Sequence, residues 1–149
     1  MGPLGESIEV DRPPETVFAY VTDPARFGEW QENVTGGHLD TDGPAAAGDT
    51  CRTVRQIGFA QRPVTSVITA IDPPKRWSVR GTDGPIRAHV DVSVRPLDGG
   101  RRSALTVEIA FEGHGVGKLL VPLFVTRGGA KEMPRNLGRL KANIESAPG

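Results

Sequence analysis

The chain has one cysteine, Cys51, among its 149 residues. A single thiol builds neither an internal disulfide framework nor a cysteine cluster for zinc. Such sparing use fits a reducing compartment, and a cytoplasmic location is expected. Neither sign of charge is in excess, since 18 Lys and Arg balance 18 Asp and Glu. A general attraction to nucleic acid or to an anionic membrane surface therefore has no electrostatic source. No apolar run approaches the roughly 20 residues that span a bilayer, so no integral membrane segment is expected. The opening MGPLGESIEV lacks the basic and long apolar regions of a signal peptide. The three histidines, His38, His89 and His114, do not have metal-ligand spacing. There is no GxSxG and no P-loop, and the glycines of Gly113 to Gly117 follow a strand instead of opening a βαβ unit. Neither a metal nor a cofactor is expected.

What is present reads as one domain. A chain of this size buries about 68–70% of its unfolded surface, enough for stability without staples. Residues 1–6 resemble a disordered or tag-like leader, 7–146 the domain, and 147–149 a tail. Ser7 to Asp11 alternates as a strand and stops at Pro13–Pro14. Proline suits a helix start, and Val17, Phe18 and Val21 mark the inner face of a two-turn helix that ends at Thr22–Asp23–Pro24. Asp23 is a candidate N-cap for a second short helix, Ala25 to about Glu29, closed by Trp30. Such helices, both opened by proline, are placed to plug one end of a curved sheet.

Strands follow over Val34–Asp40, Asp49–Ile57, Pro63–Ile71, Trp77–Thr82, Ile86–Leu97 and Arg102–Glu112, with Gly58 a turn or bulge. The fifth of these sets Ile86, Ala88, Val90, Val92 and Val94 against Arg87, His89, Asp91, Ser93 and Arg95. The sixth repeats the pattern with Leu105, Val107, Ile109 and Phe111. One dry and one wet face per strand is the pattern of an antiparallel sheet covered on one side. The cover is a helical region from Val116 to Ser146, with Leu120, Leu123, Phe124, Met133, Leu137, Leu140 and Ile144 mostly three or four apart. Gly128–Gly129 and Pro134 predict a bend or break between Arg127 and Pro134.

This order of elements, with SIEVDRPPETVFAYVTDPARFGEW, AAAGDTCR, ITAIDPPKRWSVR and LGRLKANIE, resembles the polyketide cyclase/dehydrase and lipid-transport family of the START-like (SRPBCC) superfamily. The resemblance covers Ser7 to Glu145. It implies an α+β helix-grip fold: about seven antiparallel strands curved around a long C-terminal helix, with two short helices after the first strand. It also implies a deep pocket for an apolar or amphipathic small molecule, such as a lipid, polyketide or quinone. It does not imply one chemistry, because the family includes carriers as well as cyclases.

Candidate wall residues follow from the apolar faces and the aromatics: Trp30, Val54, Phe59, Ile68, Trp77, Val79, Ala88, Val90, Val107, Ile109, Leu120 and Phe124. Each of them also reads as plain core. Polar candidates are fewer. On Asp49–Ile57 either Thr53 and Arg55, or Arg52 and Gln56, point inward, and parity leaves the choice open. An inward Arg55 requires an anionic partner such as a carboxylate, enolate or phenolate. Arg55, Gln56 and His114 are the candidates for proton transfer, whereas His89 and Asp91 share the wet face. Cys51 has no histidine near it in sequence and reads as a buried structural thiol. The leading expectation is a carrier of a hydrophobic or aromatic small molecule, monomeric or homodimeric. An aromatase/cyclase-like enzyme using the same pocket comes second, and a protein-interaction module third.

Overall fold

The computed structural model describes residues 4–57, 59–83, 86–115 and 130–147. The first strand, β1, spans Leu4–Val10 and pairs with the long strand β7, Arg102–Gly113. It starts three residues before the expected Ser7, because β7 extends far enough to give Leu4 a partner at Ile109. Residues 4–6 thus lie in the sheet, where their backbone groups find ladder bonds. Helix α1, Pro14–Val21, has proline in its first turn and buries Val17, Phe18 and Val21. Thr22 closes it, its hydroxyl donating to the Phe18 carbonyl at 2.8 Å. Asp23 then accepts from the Ala25 N–H at 3.0 Å and caps a 3-10 turn, Pro24–Arg26. That turn leads into α2, Phe27–Trp30, so the predicted second helix is a 3-10 turn followed by one α turn.

The remaining strands are β2 (Val34–Leu39), β3 (Thr50–Ile57), β4 (Ala60–Asp72), β5 (Arg76–Gly81) and β6 (Ile86–Leu97). All neighbours are antiparallel, in the order β1-β7-β6-β5-β4-β3-β2, so β1 and β2 are the edges of one curved seven-stranded sheet. β4 begins before Pro63, the expected start. Proline is tolerated there because β5 reaches only to Ser66, leaving that part of β4 paired on one side. Gly37 in β2 faces the Pro24 carbonyl, where a Cβ would sit 2.5 Å from the oxygen. Only glycine lets the 3-10 turn lie so close to the edge strand.

Strand direction defines two ends. The β3–β4 and β5–β6 connections and the exit of β7 lie at one end, here the upper. The β4–β5 and β6–β7 turns lie at the other, where β1 passes into α1. α1 packs against β6 and β7, so it closes the lower end as the paired prolines suggest.

The C-terminal helix, α3, spans Ala130–Ser146 and packs against β1, α1 and α2. Met133, Leu137, Leu140 and Ile144 are buried on one stripe, as the three-and-four spacing predicts. α3 runs unbroken through Pro134, which is exposed in its first described turns. There the ring forfeits one backbone bond, to the Ala130 carbonyl. The rest of the predicted helical region, with Leu120, Leu123, Phe124, Arg127 and Gly128–Gly129, lies outside the described residues, as does Gly58. The lower end of α3 is latched to the β1–α1 junction. The Asp11 N–H donates to Glu145 Oε2 at 2.8 Å, and Lys141 donates to the Glu9 carbonyl.

Candidate functional site

The inner face of the sheet can be read strand by strand from the register. Val92 and Val107 oppose each other and are buried, which fixes Trp77 and Val79 on β5 and Ile68 on β4 to the same side. Across β4 the pairs Cys51–Ser66, Thr53–Val64 and Arg55–Arg62 continue that face. The open parity of β3 is thereby resolved: Thr53 and Arg55 point inward, whereas Arg52, Val54 and Gln56 take the outer face. Val54 and Gln56 therefore drop out of the predicted wall and of the proton-transfer set. An alternation of period two carries no sign of its own, and it is the buried partners across the ladder that supply it.

This face grades from sealed to open. Toward the lower end Val10, Val94, Leu105 and Ser103 are at most 4% exposed. α1 and the last turns of α3 cover them, and each such apolar side chain contributes about 1.5–3 kcal/mol. Toward the upper end Val64, Ser66, Ala88, Val90, Ile109 and Phe111 point the same way but are only partly buried, as are Ile8 and Ile71 lower down, and Val90 and Ile109 pack on the edge of the core. Of the predicted wall residues, Ala88, Val90 and Ile109 belong to this open part. Ile68, Trp77, Val79 and Val107 belong to the sealed part. Trp30 is buried as well, in an edge-on aromatic row in which Phe27 meets Trp30 at 6.1 Å and Trp77 at 6.2 Å. Phe59, expected in the wall, instead stands fully in solvent at the tip of the β3–β4 hairpin. A turn residue has no opposing strand to pack on. Leu120 and Phe124 lie outside the described residues.

Polar groups on this face are few and positioned. Arg55 is half-buried, and its guanidinium donates to Gln31 Oε1 at 3.1 Å. Gln31 is the cap residue of α2, so the short helices hold the inward arginine. Trp30, one residue earlier, buries its indole N–H with no acceptor among the described residues. Thr53 is buried beside Arg55 and Cys51 beside Thr53, with the Cys51 thiol pushed above its ordinary pKa by burial. Such a thiol is not poised as a nucleophile. Glu6 on β1, opposite Val107, is the inward carboxylate among the described strand residues. Gln31, Arg62 and Glu6 carry no mark in the sequence that would single them out. Gln31 lies in a loop, and the other two depend on register.

His114 follows β7 at the upper end, half-buried, with Nε2 3.0 Å from Glu112 Oε1 but not aligned for a hydrogen bond. It pairs with an outer-face residue and does not join Arg55 or Gln56. His89 is exposed on the outer face, as expected. Among the described residues no three His, Cys, Asp or Glu side chains converge as a metal site would need. No described helix is long and apolar enough to cross a membrane. A second concavity, of about 590 Å³, lies outside the sheet between α1, α2 and the end of α3. Its polar groups satisfy one another: Tyr20 donates to Glu29 at 2.9 Å and accepts from Asn143 at 3.1 Å.

A family model described as polyketide cyclase / dehydrase and lipid transport matches residues 3–145. No curated protein matches the chain. Among solved structures, a START superfamily protein from Mycobacterium smegmatis aligns with a TM-score of 0.77 at 15% identity, over 97% of this chain and 98% of that one. A protein from Thermus thermophilus aligns with a TM-score of 0.76 at 16% identity, over 99% of both chains. The di-domain ARO/CYC BexL aligns at 0.71 and 18% identity, with 97% of this chain covering 47% of that one. At such identities these likenesses show the helix-grip fold and nothing finer.

Proposed function

Since the chain belongs to the polyketide cyclase/dehydrase and lipid-transport family, we propose that it binds an apolar or aromatic small molecule in the upper part of its concave face. One observation carries this reading: Val64, Ala88, Val90 and Ile109 share a face with fully buried neighbours yet remain partly exposed. Leaving such side chains accessible forfeits part of about 1.5–3 kcal/mol each, which a ligand's apolar body would restore. Ligand pockets elsewhere are likewise mostly apolar, with a few placed polar groups. Arg55 and Thr53 fill that role here.

Fluorescence titration with N-phenyl-1-naphthylamine, a neutral aromatic probe, tests the reading. Wild type is expected to bind it saturably. Val90→Trp, which fills the open face, is expected to weaken binding at least about tenfold while the protein stays folded. Absence of binding, or binding indifferent to Val90→Trp, would contradict it.

A cyclase-like activity is the second reading, favoured by the fact that the inner face is not wholly apolar: Arg55 is inward and held. In that case the cavity supplies confinement and Arg55 stabilises a developing enolate oxygen. Arg55→Gln would then lower turnover of a polyketone mimic far more than it lowers binding.

A further inference from the structure

The β3–β4 hairpin closes tightly, for Ile57 pairs with Ala60 and leaves Phe59 in the turn. Phe59 is fully exposed, and among the described residues it is the one large apolar side chain that is. A phenyl ring held in water forfeits its hydrophobic stabilisation until a partner covers it. The polar groups around it are cations and amides: residues 55–64 read RQIGFAQRPV, with two arginines and no carboxylate. Arg55 points inward and is engaged with Gln31. Arg62 is exposed, and among the described residues no carboxylate lies within ion-pair distance of it. Carboxylates near the base of the hairpin are held elsewhere. Glu32, next to the Asn33 carbonyl that takes the Gln56 N–H, meets Arg135 at 3.4 Å. Asp83 accepts the Thr65 N–H at 3.0 Å, six residues back from Phe59 and so roughly 20 Å along the strand.

The shape of this tip selects the class of partner. A stable protein interface covers about 800 Å² on each side, whereas here one ring stands on a narrow turn with no second exposed large apolar side chain described beside it. A bilayer accepts a single inserted ring. Arg62 lies three residues behind Phe59, about 10 Å along the strand. Interfacial apolar groups enter the headgroup boundary to about 5–10 Å, so a ring at that depth leaves the guanidinium among the phosphates. We infer that the β3–β4 tip is a docking point for an anionic phospholipid surface, with Phe59 inserted and Arg62 on the headgroup phosphates. The balanced charge of the whole chain does not oppose this, because such attraction is local and fades within a Debye length, about 10 Å at 0.1 M salt. The tip stands at the upper end, where the concave face is open, so docking turns that opening toward the bilayer.

Cosedimentation with vesicles tests the docking point, using equimolar phosphatidylcholine and phosphatidylglycerol against phosphatidylcholine alone. Wild type is expected to partition onto the anionic vesicles at millimolar lipid, and about fivefold less onto the neutral ones, the value of one arginine near an anionic surface. Phe59→Ser should lower partitioning onto anionic vesicles at least about tenfold. Arg62→Gln should erase the preference for anionic lipid and leave the neutral vesicles unchanged. Raising salt on wild type from about 0.05 to about 0.5 M should do the same without a variant. Both side chains are exposed, so the variants should melt with wild type. Phe59→Ser should also keep the wild-type response to N-phenyl-1-naphthylamine, which separates the tip from the pocket. No partitioning at millimolar anionic lipid overturns the docking point, as does equal partitioning of Phe59→Ser and wild type. Self-association that Phe59→Ser abolishes, without vesicle binding, overturns it too and assigns the tip to a second copy of the chain.

Discussion

At the scale of single residues, the same side-chain type has different value at the two ends of the concave face. Leu105 is 0% exposed beneath α1 and α3. Leu105→Ala is expected to cost about 2–5 kcal/mol, since a buried leucine is lost and a cavity left behind. Val90, half-buried on the next strand, should cost under about 1.5 kcal/mol as Val90→Ala, because its site is already part open. Urea unfolding of the two variants checks the contrast, and equal losses would mean that the inner face is uniformly filled. The alternation that identifies these faces is visible in Ile86 to Leu97, where five apolar residues take every second place. It is not decisive in β3, where Thr53–Val54–Arg55–Gln56 offers polar residues in both phases. There the side that faces inward is set by partners on other strands.

Between elements, the molecule is joined by a few directional contacts at the lower end. Glu145 of α3 accepts the Asp11 N–H at 2.8 Å, and this bond, aided by nearby Lys141 and Arg12, holds its carboxyl below the usual value of 4.5. A carboxyl with a depressed native pKa binds its proton more readily in the unfolded chain. Its contribution is therefore present above 4.5 and fades as pH falls through the lower native value. Wild type should exceed Glu145→Gln in stability at neutral pH, with the gap closing on acidification. Thermal melts from pH 7 down to about 3 check the sign. Tyr20 joins three elements through Glu29 and Asn143, and burial raises its phenol pKa. Tyr20→Phe should cost about 1 kcal/mol, not more, because Asn143 keeps its bond to the Glu29 carbonyl at 3.0 Å. The apolar stripe of α3 was legible from spacing alone. The path through Pro134 was not, because a proline's cost depends on which turn of the helix it occupies.

For the whole molecule, the strand alternation and element order gave an antiparallel sheet covered on one side by a C-terminal helix, and the resemblance carried by the quoted motifs supplied the helix-grip architecture. The uneven filling of the concave face was not legible, as it depends on where α1 and α3 come to rest. That unevenness underlies the ligand-binding reading. The most direct test is methyl NMR of protein labelled at valine, leucine and isoleucine, titrated with N-phenyl-1-naphthylamine. The account predicts saturable shifts at Val64, Val90 and Ile109, with Val10, Leu105 and Leu140 unmoved. Shifts confined to the outer groove around Ile144, or no shift at any inner-face methyl, would contradict it.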